Sequence, residues 1–379
     1  MFSSRTSRDA TRLQSIIRIT RAISTVHDLH SLITLLASET SKVLNVERST
    51  VFLYSRKTDE LWSYVAEGES NEIRFSANQG IAGSVFQSEK TMILHDVSDD
   101  KRFNQEIDDT TGFITRNMIT APIINPLDHC IGVFQVINKE GGDFRNDDAE
   151  FLEIVAAEAA ITIENVRLLE SRKRMFDSLI KALVISIEAR DPLTAGHSFD
   201  VTFLAGKIAE YLKLDQDTSE AIYYAALLHD YGKIAVPDSI LKKPGTISKE
   251  EFSILRKHVQ HTRIILSPIE FEERLEKVPV FASQHHERID GQGYPDGLKG
   301  NQISIGGRII AVADVFEALT AKRHYREPFS LGKTLNILVE GIDTQFDRDA
   351  VFALRQYFID IGKIKPEEVP LPGNAGNAF

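Results

Sequence analysis

Residues 227–233 read LLHDYGK: an apolar run, then His229 and Asp230, then Gly232 and Lys233. An isolated His–Asp pair says little by itself. Its weight comes from the C-terminal half around it, with His197 in TAGHS, His258 in RKHVQHT, His285 and His286 in QHHERIDGQGYP, and Asp314 in AVADVFEAL. Five imidazoles and two carboxylates without a thiolate make a mixed nitrogen and oxygen donor set. Such a set suits iron, manganese or another first-row divalent ion better than calcium or magnesium. A lone buried His is more often a satisfied core residue than a ligand, and His261, three residues from His258, competes with it on facing alone. Five such segments on successive helices make coincidence a poor account.

Spacing refines the reading. On a helix, neighbouring residues point about 100° apart, so His229 and Asp230 can serve one ion between those directions, or the carboxylate can bridge to a second. The same holds for His285 and His286. Two adjacent ions with Asp230 between them use all the donors. Lys233 follows the pair by three and four residues and shares its face. A cation there would repel metals, so its expected partner is an anionic substrate or a metal-bound hydroxide.

Outward from this stretch, apolar periodicity predicts helices over Asp200–Leu212, Ser219–Tyr231, Lys249–Leu266, Leu275–Gln284, Ile305–Ala321, Leu331–Val339 and Arg348–Gly362. Glu164–Glu188 lacks Gly and Pro and reads as one long helix. Leu169, Phe176 and Leu183 lie seven apart on it, as do Ile180 and Ile187, which predicts a coiled seam joining two copies of the chain. Before it, helices are expected over Asp9–Val26 and Leu29–Leu44. Short runs rich in β-branched and aromatic residues then predict strands at Ser49–Ser55, Leu61–Val65, Thr91–His95, Asn117–Ile123 and Cys130–Asn138, with a helix from Asp147. The fold class is therefore an α+β N-terminal domain, a long connecting helix and an all-α C-terminal domain, with a loose tail over residues 366–379.

Composition narrows the function. The 379 residues carry 44 Lys and Arg against 55 Asp and Glu, a net charge of −11, which argues against gripping a nucleic-acid backbone. A single cysteine, Cys130, rules out a disulfide framework and Cys-based zinc sites. No apolar run approaches the roughly 18 to 20 residues of a membrane span, and the first residues lack a secretory signal's apolar core. The expected compartment is the cytoplasm.

The segments EARDPLTAGHS, AALLHDYGKIAVPDSILKKPGTIS, HHERIDGQGYPDGLKG and RIIAVADVFEALTAKRHYRE, between Leu179 and Glu327, resemble the HD-GYP family of bacterial cyclic di-GMP phosphodiesterases. The resemblance implies a helical bundle around two divalent ions. His197, His229, Asp230 and Asp314 would hold one, and Asp230, His258, His285 and His286 the other. It implies that Lys233 contacts the scissile phosphate, that Gly293–Tyr294–Pro295 supports substrate binding through the Tyr294 ring, and that Arg323 and Arg326 hold the other phosphate or a guanine. The implied reaction is hydrolysis of cyclic di-GMP to pGpG, with GMP as a further product left open. The chain departs from the family's pattern twice. Leu193 stands where members with a third metal carry Glu, so two ions are expected, and Thr262 stands where Gly is common.

Residues 28–166 resemble a GAF domain, a small-molecule sensor. Asn138 and Lys139, followed by Phe144 and Asp148, are similar to the signature of cyclic-nucleotide-binding GAF domains, although Ala149 replaces the usual Glu. This leaves two readings open: a bound cyclic nucleotide or other small ligand, or a Lys139–Asp148 ion pair that pins a strand end to the next helix. The organisation expected is an N-terminal helix (1–27), the GAF domain (28–166), a connecting helix (167–190), the HD-GYP domain (191–365) and the tail. The competing functions are a cyclic dinucleotide receptor with little catalysis and a hydrolase of a related dinucleotide such as 3′,3′-cGAMP.

Overall fold

The computed structural model describes residues 14–15, 17–19, 21, 28–66, 72–105, 108, 113–190, 196–322 and 327–370. Most of the expected first helix lies outside these, as do Leu193, Arg323 and Arg326. The chain divides into two compact units, residues 1–174 and 175–379.

In the first unit, helix α1 (Leu29–Leu44) precedes strands β1 (Val46–Ser55), β2 (Glu60–Ala66) and β3 (Arg74–Ser76), helix α2 (Gly80–Ser88), and strands β4 (Met92–Leu94), β5 (Met118–Ile124) and β6 (Cys130–Lys139). Asp28 starts α1 by accepting the Ser31 N–H at 2.8 Å, and Asn45 ends it in the left-handed region. The strands form one antiparallel sheet in the order β3-β2-β1-β6-β5-β4. Side chains of a strand alternate between faces, and the sheet uses both. Val51 and Leu53 join Phe134 and Val136 under Leu32, Leu36 and Leu152, whereas Phe52 and Val133 turn to the other face with Val85 of α2. The β3 pairing was not anticipated, because three residues carry no readable alternation.

Helix α3 runs unbroken from Asn146 to Glu188, where the sequence suggested two helices. Of the expected seam only Leu169 stays exposed. Ile180 is buried in the second unit's core, Phe176 and Leu183 pack against that core, and Ile187 is buried. A different set is exposed, with Ile154, Ile161, Leu168 and Met175 each seven apart.

The second unit is helical: α4 (His197–Tyr211), α5 (Gln216–Leu228), a 3-10 turn (Tyr231–Ala235), α6 (Asp238–Leu241), α7 (Lys249–Leu255), α8 (His258–Leu266), α9 (Val278–Ser283), α10 (Ile305–Thr320), α11 (Leu331–Glu340) and α12 (Arg348–Asp360). Val201, Ala205 and Ile208 of α4 pack with Ala221, Ile222 and Ala225 of α5 and with Ile309, Val312 and Ala313 of α10. Two boundaries differ from expectation in ways that matter. Helix α5 stops at Leu228, so His229 caps it and Asp230 leaves helical geometry at φ −95, ψ 2. The expected Lys249–Leu266 helix breaks at Arg256 and Lys257, which makes His258 the first residue of its own helix. Beyond α12, Arg355 donates to the carbonyls of Val369 and Pro366, and Val369 is fully buried.

Candidate metal centre

Each candidate donor sits where a helix starts or ends, except Asp314, which projects from the middle of α10. His197 opens α4, His229 closes α5, His258 opens α8, and His285 and His286 follow α9. Three of the imidazoles are oriented by one repeated device. Nδ1 of His229, His258 and His285 donates to the carbonyl three residues earlier, Ala226, Leu255 and Ala282, at 2.7, 2.9 and 2.8 Å. A carbonyl only accepts, so Nδ1 carries the proton and Nε2 presents its lone pair to the interior.

Those lone pairs have nothing to bind. Six buried side-chain polar atoms among the described residues lack a hydrogen-bond partner, and three of them are Nε2 of His229, His258 and His285. Buried polar atoms are rarely left unsatisfied, and three converging imidazole lone pairs are the donor set of a divalent cation. Ligand-type atoms gather into three groups, each within 4.8 Å: His197–His229–Asp314, His258–His285–His286, and His229–Asp230–His285. The first two are separate half-sites, and the third puts Asp230 between them. Its Oδ1 is 3.2 Å from His258 Nε2, and its Oδ2 is 3.5 Å from His229 Nε2 and 3.8 Å from His197 Nε2. All seven expected ligands are thus brought together, and His258 rather than His261 joins them. These residues fit two divalent ions sharing one carboxylate.

The electrostatics point the same way for three of the rings, and His197 differs from them. Burial drives the His286 imidazole down to about 3. Burial likewise lowers His229 and His285, so all three rings are neutral and able to ligate. Burial also opposes charge on His197, but hydrogen bonds to Asp314 and Glu317 outweigh it and raise this ring up to about 10. Burial works against the Asp230 carboxylate too, and the Lys233 charge overcomes it and holds its pKa well below the usual range. Lys233 Nζ pairs with Asp230 Oδ2 at 2.5 Å.

Several contributors were not picked out in the sequence. Glu317, three residues after Asp314 on the same face of α10, accepts from His197 Nδ1. Glu188 accepts the N–H groups of Gly196 and Ser198, both at 2.9 Å, and so holds the start of α4. Glu287 accepts the N–H groups of Asp296 and Leu298 at 2.7 and 2.9 Å, tying down the loop that carries Tyr294. In that loop a Cβ on Gly293 would lie 2.4 Å from Arg288 N and 2.6 Å from His286 O, so only glycine fits. Pro295 follows Tyr294, and the Tyr294 ring lies 4.8 Å from that of His286.

In the N-terminal unit, a pocket lies between α2 and the sheet. Thr50, Phe75, Gln79 and Gln135 are among its lining residues, with Arg48 stacked 4.3 Å over the Phe113 ring. Asn138, Lys139, Phe144 and Asp148 are not among them. Lys139 Nζ instead pairs with Asp148 at 2.9 Å and donates to the Leu44 carbonyl at 3.1 Å. Fully buried Asn138 donates to Glu47 and to the Ile114 carbonyl, and Phe144 lies in the core of the sheet's other face.

Comparison with known proteins agrees with this division. Residues 28–163 match the GAF domain family and residues 167–350 the HD domain family. The chain is 39% identical over 184 residues to a 3′3′-cGAMP-specific phosphodiesterase 2 of Vibrio cholerae, covering 48% of this chain and 35% of that protein. It is 38% identical over 185 residues to the cyclic di-GMP phosphodiesterase response regulator RpfG of Xanthomonas campestris, covering 49% and 48%. A cyclic di-GMP phosphodiesterase of Thermotoga maritima is 42% identical over 154 residues, covering 40% of each. The chain thus spans half or less of the length of these relatives. Among solved structures, it resembles the GAF domain of an Acinetobacter phosphoenolpyruvate-protein phosphotransferase with a TM-score of 0.38 and 19% identity, covering 42% of this chain and 98% of that one.

Proposed function

The chain carries a GAF domain over residues 28–163 followed by an HD domain over residues 167–350, and from that premise we propose that it is a metal-dependent phosphodiesterase that hydrolyses cyclic di-GMP to pGpG under the control of its GAF domain. The observation that carries this reading is the pair of ligand clusters meeting at Asp230, with imidazole lone pairs left unpartnered between them. His197, His229, Asp230 and Asp314 would hold one ion, and Asp230, His258, His285 and His286 the other. The donor set favours iron or manganese. Ions bound there supply Lewis acidity, which makes water a usable nucleophile near neutral pH and offsets charge on the phosphoryl oxygens.

The protein's own groups do the rest. The Lys233 ammonium, beside Asp230, would contact a phosphoryl oxygen and stabilise the charge that develops there as the P–O3′ bond breaks. Glu317 keeps the His197 ring turned so that Nε2 faces Asp314 and Asp230. Tyr294, fixed by Gly293, Pro295 and Glu287, offers its ring to a base or ribose beside His286. Arg323 and Arg326 would bind the second phosphate or a guanine.

A small ligand in the GAF pocket would regulate turnover. The exposed series Ile154, Ile161, Leu168 and Met175 supports a homodimer through α3. The single cysteine suits a reducing cytoplasm.

Similarity to 3′3′-cGAMP-specific enzymes favours a second reading, in which the mixed dinucleotide is the better substrate. Purified full-length protein with Mn²⁺ should convert cyclic di-GMP to pGpG, followed by chromatography. Faster turnover of 3′,3′-cGAMP selects the second reading, and binding of both dinucleotides without product from either refutes the enzyme.

A further inference from the structure

A threonine inside a helix can turn its hydroxyl back onto the carbonyl four residues earlier, and in this protein Thr34, Thr162, Thr202 and Thr320 do so. Thr262, one turn past His258 on α8, does not. Its fully buried hydroxyl reaches across to the junction between α5 and the 3-10 turn, donating to the His229 carbonyl at 3.0 Å and accepting the Gly232 N–H at 2.9 Å. Both groups belong to the ends of short helical segments, where carbonyls at one end and N–H groups at the other lack partners of their own. One hydroxyl satisfies the two together.

What lies between those two anchor points is the His229–Asp230 pair, and what lies one turn before Thr262 is His258. The contact is tight on both sides, since a Cβ on Gly232 would come within 1.9 Å of the His258 carbonyl and 2.4 Å of the Thr262 nitrogen. The 3.2 Å from Asp230 to His258 is therefore set where α8 meets this junction. We propose that Thr262 is a positioning residue: its hydroxyl clamps the turn carrying His229 and Asp230 onto the helix carrying His258, and so sets the separation of the two half-sites that share Asp230. This rests on the dinuclear reading of the site.

The test compares the full-length wild type with Thr262→Val, which keeps the shape and loses the hydroxyl, and Thr262→Ser, which keeps the hydroxyl. Each metal-free protein is titrated with Mn²⁺ by calorimetry, and low-temperature electron paramagnetic resonance reads the coupling between paired ions. Wild type should bind two Mn²⁺ with a coupled signal. In Thr262→Val one of the two sites should weaken about 10–100-fold and the coupled signal should collapse, with kcat falling more than KM rises, while Thr262→Ser stays within about threefold of wild type. Two tight, coupled ions in Thr262→Val would overturn the proposal. So would equal damage in both variants, which would assign the role to methyl packing, and damage in Thr262→Ser alone decides the matter if the valine variant does not fold. Wild type that never binds two ions refutes the dinuclear reading itself, and the clamp with it.

Discussion

Gly232→Ala is a small change with a calculable consequence. The added methyl would start 1.9 Å from the His258 carbonyl, and ordinary contact begins at 3.4 Å, so α8 and the His229–Asp230 turn have to separate by about 1.5 Å. The clash is with backbone on both sides, so no side-chain rotation relieves it. Overpacking of this kind costs about 1–3 kcal/mol, which a unit of some 200 residues registers as a fall in Tm of roughly 2–12 °C. The chemical cost is larger. The 3.2 Å between Asp230 and His258 would open toward 5 Å, beyond what one ion could bridge together with His285 and His286. A displacement near 1 Å costs about 100-fold in turnover even when every catalytic group is retained. The expected protein is folded, retains the ion at His197, His229 and Asp314, loses the one at His258, and turns over at least about 100-fold slower. Metal analysis, a thermal melt and product chromatography on one preparation read all of this. Two ions bound with turnover within threefold of wild type would refute the claim that this contact sets the site.

Replacing Lys233 with Met should reduce kcat by about 100- to 1000-fold while both metals stay bound, and undiminished kcat would remove Lys233 from the mechanism. Metal-free protein should lose stability on acidification. His286, at about 3 when folded and 6.5 otherwise, contributes stability that is present above pH 6.5 and lost as the pH falls toward 3. That group alone accounts for about 2 kcal/mol between pH 7.5 and 5, and the lowered His229 and His285 add to it. His197, raised to about 10, works in the opposite sense, with its contribution complete below pH 6.5 and lost through pH 10. Melts that are flat or rising toward pH 5 would contradict the balance. In the GAF domain, Lys139→Met breaks a pair whose Asp148 carboxylate is 3% exposed, and should destabilise that unit by about 3–5 kcal/mol. A loss below about 1 kcal/mol would show that the pair does not pin β6 to α3.

The candidate donors were legible in the sequence because metal chemistry demands particular residue types, and His and Asp scattered over five segments have few other uses in a buried bundle. Their supports were harder to see. Glu317, Glu188 and Glu287 look like ordinary surface carboxylates, and only the three-residue step from Asp314 to Glu317 hinted that one of them faces inward. The end of α5 was misread because AALLHDY continues a good helical pattern. The chain turns there into a 3-10 segment whose Gly232 lies against α8, a tertiary contact that the apolar pattern does not record. Along α3, hydrophobic period revealed an apolar stripe but not which surface covers it. Phe176, Ile180 and Leu183 meet the second unit's own core, leaving Ile154, Ile161, Leu168 and Met175 outside. Thr262 appeared in the sequence only as a departure from a familiar pattern, and its hydroxyl acquires meaning only beside the His229 carbonyl and the Gly232 N–H.

The central claim is that two divalent ions share Asp230 and that the reaction needs both. Elemental analysis of anaerobically purified full-length protein, with cyclic di-GMP turnover measured on the same sample before and after Asp230→Asn, tests it most directly. The account predicts two iron or manganese ions per chain with pGpG formed, and at most one ion with turnover nearly abolished in the variant. Two ions and undiminished hydrolysis without the Asp230 carboxylate would contradict it.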